Sequence, residues 1–168
     1  MRQQFIITFI GDDRTGLVEH IARCVNDQGG NWLDSQLSKL GGKFAGLVLV
    51  EMDPSNEGPL SDALQTLDGH PFSVRVTPAG RGEARDADLA LTVTGPDRPG
   101  IVREVSSALA RHGINVVRLD SRVFGAPFTG EAMFEARVQA SPPAELDRLS
   151  LDDALDEIAE RLTLEIDR

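Results

Sequence analysis

The sequence predicts an α+β chain built from two successive βαββαβ units, each a four-stranded antiparallel sheet with two helices on one face. Three observations carry that prediction. A turn, Gly11-Asp12-Asp13-Arg14-Thr15-Gly16-Leu17-Val18, returns 84 residues later as Gly95-Pro96-Asp97-Arg98-Pro99-Gly100-Ile101-Val102. The apolar spacing around each copy switches from period two before the turn to a helical period after it. Each predicted helix then stops at a glycine with an asparagine close behind, Gly29 with Asn31 and Gly113 with Asn115. Two halves that agree independently on periodicity, turn and cap make an internal repeat strong evidence.

The first strands come from residues 5–10 and 89–94, where Phe5, Ile7 and Phe9 match Leu89, Leu91 and Val93 and put large apolar groups on one sheet face. The helices that cover this face follow the turns. Leu17, Val18, Ile21 and Val25 in the first copy, and Ile101, Val102, Val105 and Leu109 in the second, form one apolar stripe each. Pro99 suits a first helical turn, where a missing N–H has no intrahelical acceptor to lose. Gly29 and Gly113 suit left-handed C-terminal caps.

Second strands follow, with Leu33, Ser35 and Leu37 sharing one buried face and Leu119, Ser121 and Val123 sharing the other. The pairs Asp34-Ser35 and Asp120-Ser121 align if two residues are added after Asn115. Gly41-Gly42 and Gly125-Ala126-Pro127 read as hairpin turns. Third strands span 45–52 and 131–139, with Val48 and Val50 answering Phe134 and Ala136. The second helices bury Leu60, Ala63, Leu64 and Leu67 in one copy, and Leu151, Ala154, Leu155, Ile158 and Leu162 in the other, where Ser150 and Asp153 are spaced as a capping box. Fourth strands close each unit, through Phe72, Val74 and Val76 and through Leu164 and Ile166. The predicted domains are residues 1–79 and 88–168, joined by a linker at 80–87 that contains Gly80 and Gly82.

Composition narrows the function classes. The net charge of -10 argues against direct nucleic-acid binding, which rests on Lys and Arg neutralising phosphates. Much of the acid lies in residues 144–168, with nine Asp/Glu against three Arg, and reads as a solvated helix face or an acidic docking surface. No apolar run approaches the roughly 18 residues of a membrane span, and residues 1–4 lead into a strand, so a cytoplasmic protein with no membrane partner is expected. The single cysteine, Cys24, aligns with Ala108 and reads as a small, partly buried filler. A unit of about 80 residues buries only ~60% of its unfolded surface, which favours association with a twin and a homo-oligomer.

Catalytic and metal chemistry find little support. His20, His70 and His112 sit at different phases of the repeat, without partners at metal-ligand or catalytic spacing. There is no Gly-x-Ser-x-Gly elbow and no phosphate-cradling glycine loop with a lysine, so neither an enzyme nor a cofactor is expected.

The repeated turn is different. Its glycines let backbone approach a ligand, and the free N–H groups of a helix start attract a carboxylate. Asp13 and Asp97 are placed to cap the helix or to meet an ammonium, and Arg14 and Arg98 to pair with a carboxylate or a neighbouring domain. An amino acid carries both charges. The same residues also make a good strand-to-helix turn with no ligand at all, and residue chemistry leaves both readings open.

Strand, then Gly-x-Asp-Arg-x-Gly-[Leu/Ile]-Val, then a helix ending in Gly and followed by Asn, resembles the ACT domain, a ferredoxin-like regulatory module of amino-acid metabolism. Both halves match. The resemblance implies domains that associate in pairs and bind an amino acid near the first turn. It assigns ligand contacts to Asp13, Arg14, Thr15, Gly16, Leu17 and Asn31, and to Asp97, Arg98, Pro99, Gly100, Ile101 and Asn115. An ACT pair without an attached enzyme or DNA-binding domain, with Asp-Ser opening the second strand, is similar to the repressor family of the glycine cleavage system. That similarity implies sensing of glycine or a related metabolite and control of transcription through a protein partner, such as a DNA-binding activator. The alternative is an ACT pair without a ligand that modulates a metabolic enzyme by contact. Thr15 and Asp12, where the second copy has Pro99 and Pro96, set the first turn apart.

Overall fold

The computed structural model describes residues 1–65, 72–80 and 87–167. The chain divides into two compact units, Met1–Gly82 and Glu83–Arg168. The first runs β1 (Gln3–Asp12), α1 (Leu17–Asp27), β2 (Asn31–Leu40), β3 (Lys43–Met52), a 3₁₀ turn (Pro54–Asn56), α2 (Glu57–Gln65) and β4 (Phe72–Pro78). The second runs β5 (Leu89–Pro96), α3 (Ile101–Arg111), β6 (Asn115–Gly125), β7 (Ala132–Ser141), α4 (Arg148–Leu162) and β8 (Glu165–Asp167). Sheet orders are β2-β3-β1-β4 and β6-β7-β5-β8, antiparallel throughout. Both units are therefore the predicted ferredoxin-like βαββαβ fold.

Each unit has its own core between sheet and helices. Phe5, Ile7, Val48, Val50 and Met52 meet Ile21, Val25, Leu60 and Leu64 in the first. Leu91, Val93, Ala136 and Val138 meet Val105, Leu109, Leu155 and Ile158 in the second. Full burial of one such aliphatic or aromatic side chain contributes about 1.5–3 kcal/mol, so these residues dominate each unit's stability. Cys24 and Ala108 are both buried, as small fillers at the same helical position. Val18 and Val102 do not belong to the helical stripes: they are 40% and 42% exposed, because one residue turns the helix about 100° away from Leu17 and Ile101.

Glycines make the close approaches. Gly29 and Gly113, at φ 65 and φ 71, terminate α1 and α3 in the left-handed region as expected. Gly41 and Gly42, at φ 57 and φ 78, form the two-residue β2–β3 hairpin. Gly11 leaves room for Phe72, and Gly95 for Leu164, so a side chain there would collide with the closing segment of its sheet.

The second strands depart from prediction. A bulge lies between Trp32 and Asp34, and another between Val116 and Arg118. The extra residue lifts Leu33 out of the alternation and leaves it exposed, while Trp32 and Leu37 lean on the core. In the second unit Val116 and Leu119 do so, while Val123, nearer the β6–β7 hairpin, is exposed.

Register also corrects the repeat alignment. Asp34 lies in a row with Leu49 and Ile6, whereas Asp120 lies one row further on, with Arg137 and Thr92; the partner of Asp34 by position is Arg118. Val48 and Val50 oppose Ile7 and Phe5 as Val138 and Ala140 oppose Leu91 and Leu89, so they do not answer Phe134 and Ala136. The insertion in the second unit falls in the β6–β7 hairpin, closed by Ala126 N–H to the Glu131 carbonyl, and not after Asn115.

Helix α4 starts earlier than the spacing of Ser150 and Asp153 suggests. Its N-cap is Asp147, whose carboxylate accepts from the Ser150 backbone N–H at 2.8 Å. Hydrogen bonds from the Ser150 backbone N–H and from its hydroxyl hold the Asp147 carboxyl below its ordinary range. Leu67, His70 and Pro71, and the linker residues 81–86, lie outside the described residues.

Candidate functional site

The two turns have the same backbone. Gly16 and Gly100 precede their helices at φ 90 and ψ -3, a left-handed conformation that disfavours any residue with a Cβ. This glycine occupies the N-cap position, and neither helix receives a side-chain cap. Asp13 and Asp97 therefore do not cap α1 and α3. The first helical bonds are His20 N–H to the Gly16 carbonyl at 2.9 Å and Glu104 N–H to the Gly100 carbonyl at 3.0 Å. At the second turn Ile101 N–H donates to the Arg98 carbonyl at 3.3 Å, and the N–H groups of Val102 and Arg103 precede the first intrahelical bond and face outward from the helix start. Backbone bonds pin each turn to the neighbouring hairpin, Asp13 N–H to Gly42 at 3.3 Å and Asp97 N–H to Ala132 at 2.8 Å.

Side chains distinguish the copies. In the first, Asp13 pairs with Lys39 and Asp12 with Lys43, so both acids are engaged within the unit. Arg14 makes no ion pair among the described residues. In the second, Arg98 grips Glu104 through two bonds, Nη1 to Oε1 at 2.7 Å and Nη2 to Oε2 at 2.6 Å, and Nη2 approaches the Leu162 carbonyl at 3.5 Å. The Arg98 hydrogen bond holds the Glu104 carboxyl below its ordinary range, and Glu104 in turn raises Arg98. Position for position, His20 replaces Glu104 in the first copy. It bonds with Arg23 at 3.0 Å and lies 3.5 Å from the Cys24 sulfur. Burial raises the Cys24 thiol, which keeps it a poor nucleophile.

Beside the second turn lies an open cavity of about 330 Å³ lined by Pro99, Gly100, Arg103, Glu104, Ser107 and Arg111. Arg103, Ser107 and Arg111 recur every four residues and so share one strip of α3. Neither Arg103 nor Arg111 makes an ion pair among the described residues. These residues were missed from sequence, although the repeat held a signal: their counterparts are Glu19, Arg23 and Asp27, so two of three positions reverse charge between copies.

The asparagines stand elsewhere. Asn31 shares a row with Glu51 and Gln4, while the turn leaves β1 after Asp12, whose row holds Lys43. Asn115 pairs with Ser141, and Pro96 with Met133. Eight residues of strand separate turn and asparagine in each unit, about 27 Å, so the fold does not bring them together within a unit. Thr15, Leu17, Pro99 and Ile101 stay with their turns, where Leu17 and Ile101 point into the core. Among the described residues no three His, Cys, Asp or Glu gather where they could hold a metal ion. Among the described residues no helix is long and apolar enough to cross a membrane.

Comparison with known proteins agrees with this geometry. Residues 3–76 and residues 90–160 each match an ACT-domain family. A glycine cleavage system transcriptional repressor of Escherichia coli (strain K12) is 27% identical over 153 residues, covering 89% of this chain and 80% of that one. An unknown protein from Galdieria sulphuraria superposes with a TM-score of 0.84 at 30% identity, covering 99% of this chain and 97% of that one. The structure of a putative glycine cleavage system transcriptional repressor superposes with a TM-score of 0.76 at 20% identity, over 99% and 96% of the two chains, and shares the fold. With an ACT match on each half, the same glycine-capped turn in both and the same sheet order twice, the chain belongs to the ACT-domain family as two ACT domains in tandem.

Proposed function

We propose that this regulatory ACT pair senses a small amino acid, glycine or a close relative, at the turn of its second domain. Occupancy would change its hold on a protein partner, a DNA-binding activator of amino-acid metabolism genes, in the cytoplasm. The observation that carries the reading is the cavity at Pro99 and Gly100. It joins outward-facing helix N–H groups to two arginines without ion pairs, an arrangement suited to a carboxylate. Asp97, exposed on the same turn, supplies the opposite charge for an ammonium. The relatives named as repressors of the glycine cleavage system supply the biological direction. Control through a protein rather than through DNA fits the net charge of -10. Regulation, not catalysis, is the role assigned to the turn.

Linkage sets the requirement: the ligand has to prefer one state of the protein, since equal affinity for two states shifts nothing. Calorimetric titration with glycine, serine, alanine and aspartate tests the site. Arg98→Ala is expected to weaken binding by about 10-fold or more, through loss of the group that positions Glu104, and Arg14→Ala to change it little. A folded protein that takes up none of these amino acids refutes sensing. Equal losses from the two arginine variants would mean two equivalent sites.

A further inference from the structure

We infer that the helix-free sheet face of the first unit is a dimerisation surface, and that its occupant is the same face of a second copy of this chain. Alternation places Ile6 of β1 opposite Leu49 of β3, Thr8 opposite Leu47 and Ile10 opposite Ala45 on the side of the sheet that no helix of the unit covers, so that Leu47 lies diagonally between Ile6 and Ile10. Ile10 is 50% exposed and Leu47 48%. The second unit treats the equivalent face differently. There Thr92 stands between Arg137 and Asp167, and Arg122 pairs with Glu135 at 2.9 Å, so the face is wetted by charge. An apolar sheet face retained in one of two otherwise matched units is a surface that something covers.

Size and charge both favour a second copy. Four strands about 4.8 Å apart and up to about ten residues long at about 3.4 Å each give a face of roughly 600 Å². Two such faces bury roughly 1,200 Å², the lower end of a stable interface. Stacked sheets with nearly aligned strands are a standard packing, and a self-complementary patch closes with two-fold symmetry. A two-fold axis along the strands lays the β2 edge of one copy over the β4 edge of the other. Asp34 is on β2 in the row of Ile6, and Arg75 is on β4 in the next row, that of Thr8. The axis therefore brings unlike charges within about one row, about 7 Å along the strand, at both rims. The contact needs no amino acid, so it stands or falls separately from ligand sensing.

Sedimentation of the full chain is the test. The wild type is expected to be dimeric at about 100 µM, as an interface at the lower end of the stable range would make it. Leu47→Glu should raise the dimer dissociation constant at least about 100-fold, because it buries an unpaired charge at the centre of the contact. Circular dichroism checks its fold, and Leu47→Thr, which suits a strand, is expected to weaken the dimer in the same direction by about 10-fold. Gln139→Glu, on the corresponding face of the second unit, should leave the dimer intact. Asp34→Arg and Arg75→Asp should each weaken it and together restore it. A monomeric wild type, a dimer indifferent to both Leu47 variants, equal disruption by Gln139→Glu, or no restoration in the doubly reversed variant would each overturn the inference.

Discussion

The two ACT units keep one backbone and spend it on different surfaces. Their turns superimpose in dihedral angle, with Gly16 and Gly100 at the same φ and ψ, and their sheets share one strand order. Yet the strip of α3 beside its turn carries Arg103 and Arg111 where α1 carries Glu19 and Asp27. The open sheet faces differ in the opposite sense, apolar in the first unit and charged in the second. Fold and site are thus separate layers of the sequence: core and glycine positions hold the first, while exposed positions are free to divide the labour of the second.

The largest effects should come from the cores, where the copies are most alike. Ile21→Ala in the first unit and Leu109→Ala in the second each remove a fully buried side chain. Each is expected to cost about 2–5 kcal/mol. Because each unit has its own cluster, scanning calorimetry should show each substitution lowering one transition and sparing the other. Transitions that move together would mean that the units fold as one.

Next come the turns. Gly16→Ala and Gly100→Ala both force a Cβ into the left-handed region, at about 1–2 kcal/mol each. Neither site is crowded: no atom lies within 4 Å of a Cβ built at Gly16, and only a Glu104 oxygen, at 3.9 Å, at Gly100. Equal destabilisation is expected, read from denaturant midpoints, with loss of amino-acid binding from Gly100→Ala alone. Unequal stability losses would show that the matching dihedrals conceal different supports.

What the sequence made legible follows from locality. Apolar period, glycine caps and the repeat itself are carried by neighbours along the chain, and so the strand and helix order could be read directly. The bulges at Leu33 and Val117 could not, because they answer to the register of β3 and β7, many residues away. The Asp-Ser pairs misled for the same reason: identical letters were aligned across a strand whose insertion lies in the hairpin beyond. Asp13 and Asp97 had the chemistry of caps, but glycine held the capping position. Arg98 and Glu104 are six residues apart, outside the helical pairing rule, and meet only because the left-handed glycine folds the turn back over the helix start.

That meeting makes the smallest and most discriminating prediction. Arg98 holds the Glu104 carboxyl below its ordinary value of 4.5, so folding favours the ionised form. The stabilisation is present above that value and disappears as pH falls through the lower folded one. Both partners are partly exposed, at 39% and 40%, and salt screens them, so the effect is modest. Melting temperature followed from pH 6 down to about pH 2 should fall less steeply in Arg98→Ala and Glu104→Gln than in the wild type. Arg14→Ala should follow the wild-type curve, since no carboxylate partner of Arg14 is found among the described residues. Saturating amino acid sharpens the comparison further. A ligand carboxylate drawn to Arg103 and Arg111 adds negative charge beside Glu104, which raises its folded pKa and narrows the acid-sensitive window. A curve for the wild type that ligand leaves unchanged would place the amino acid away from the second turn.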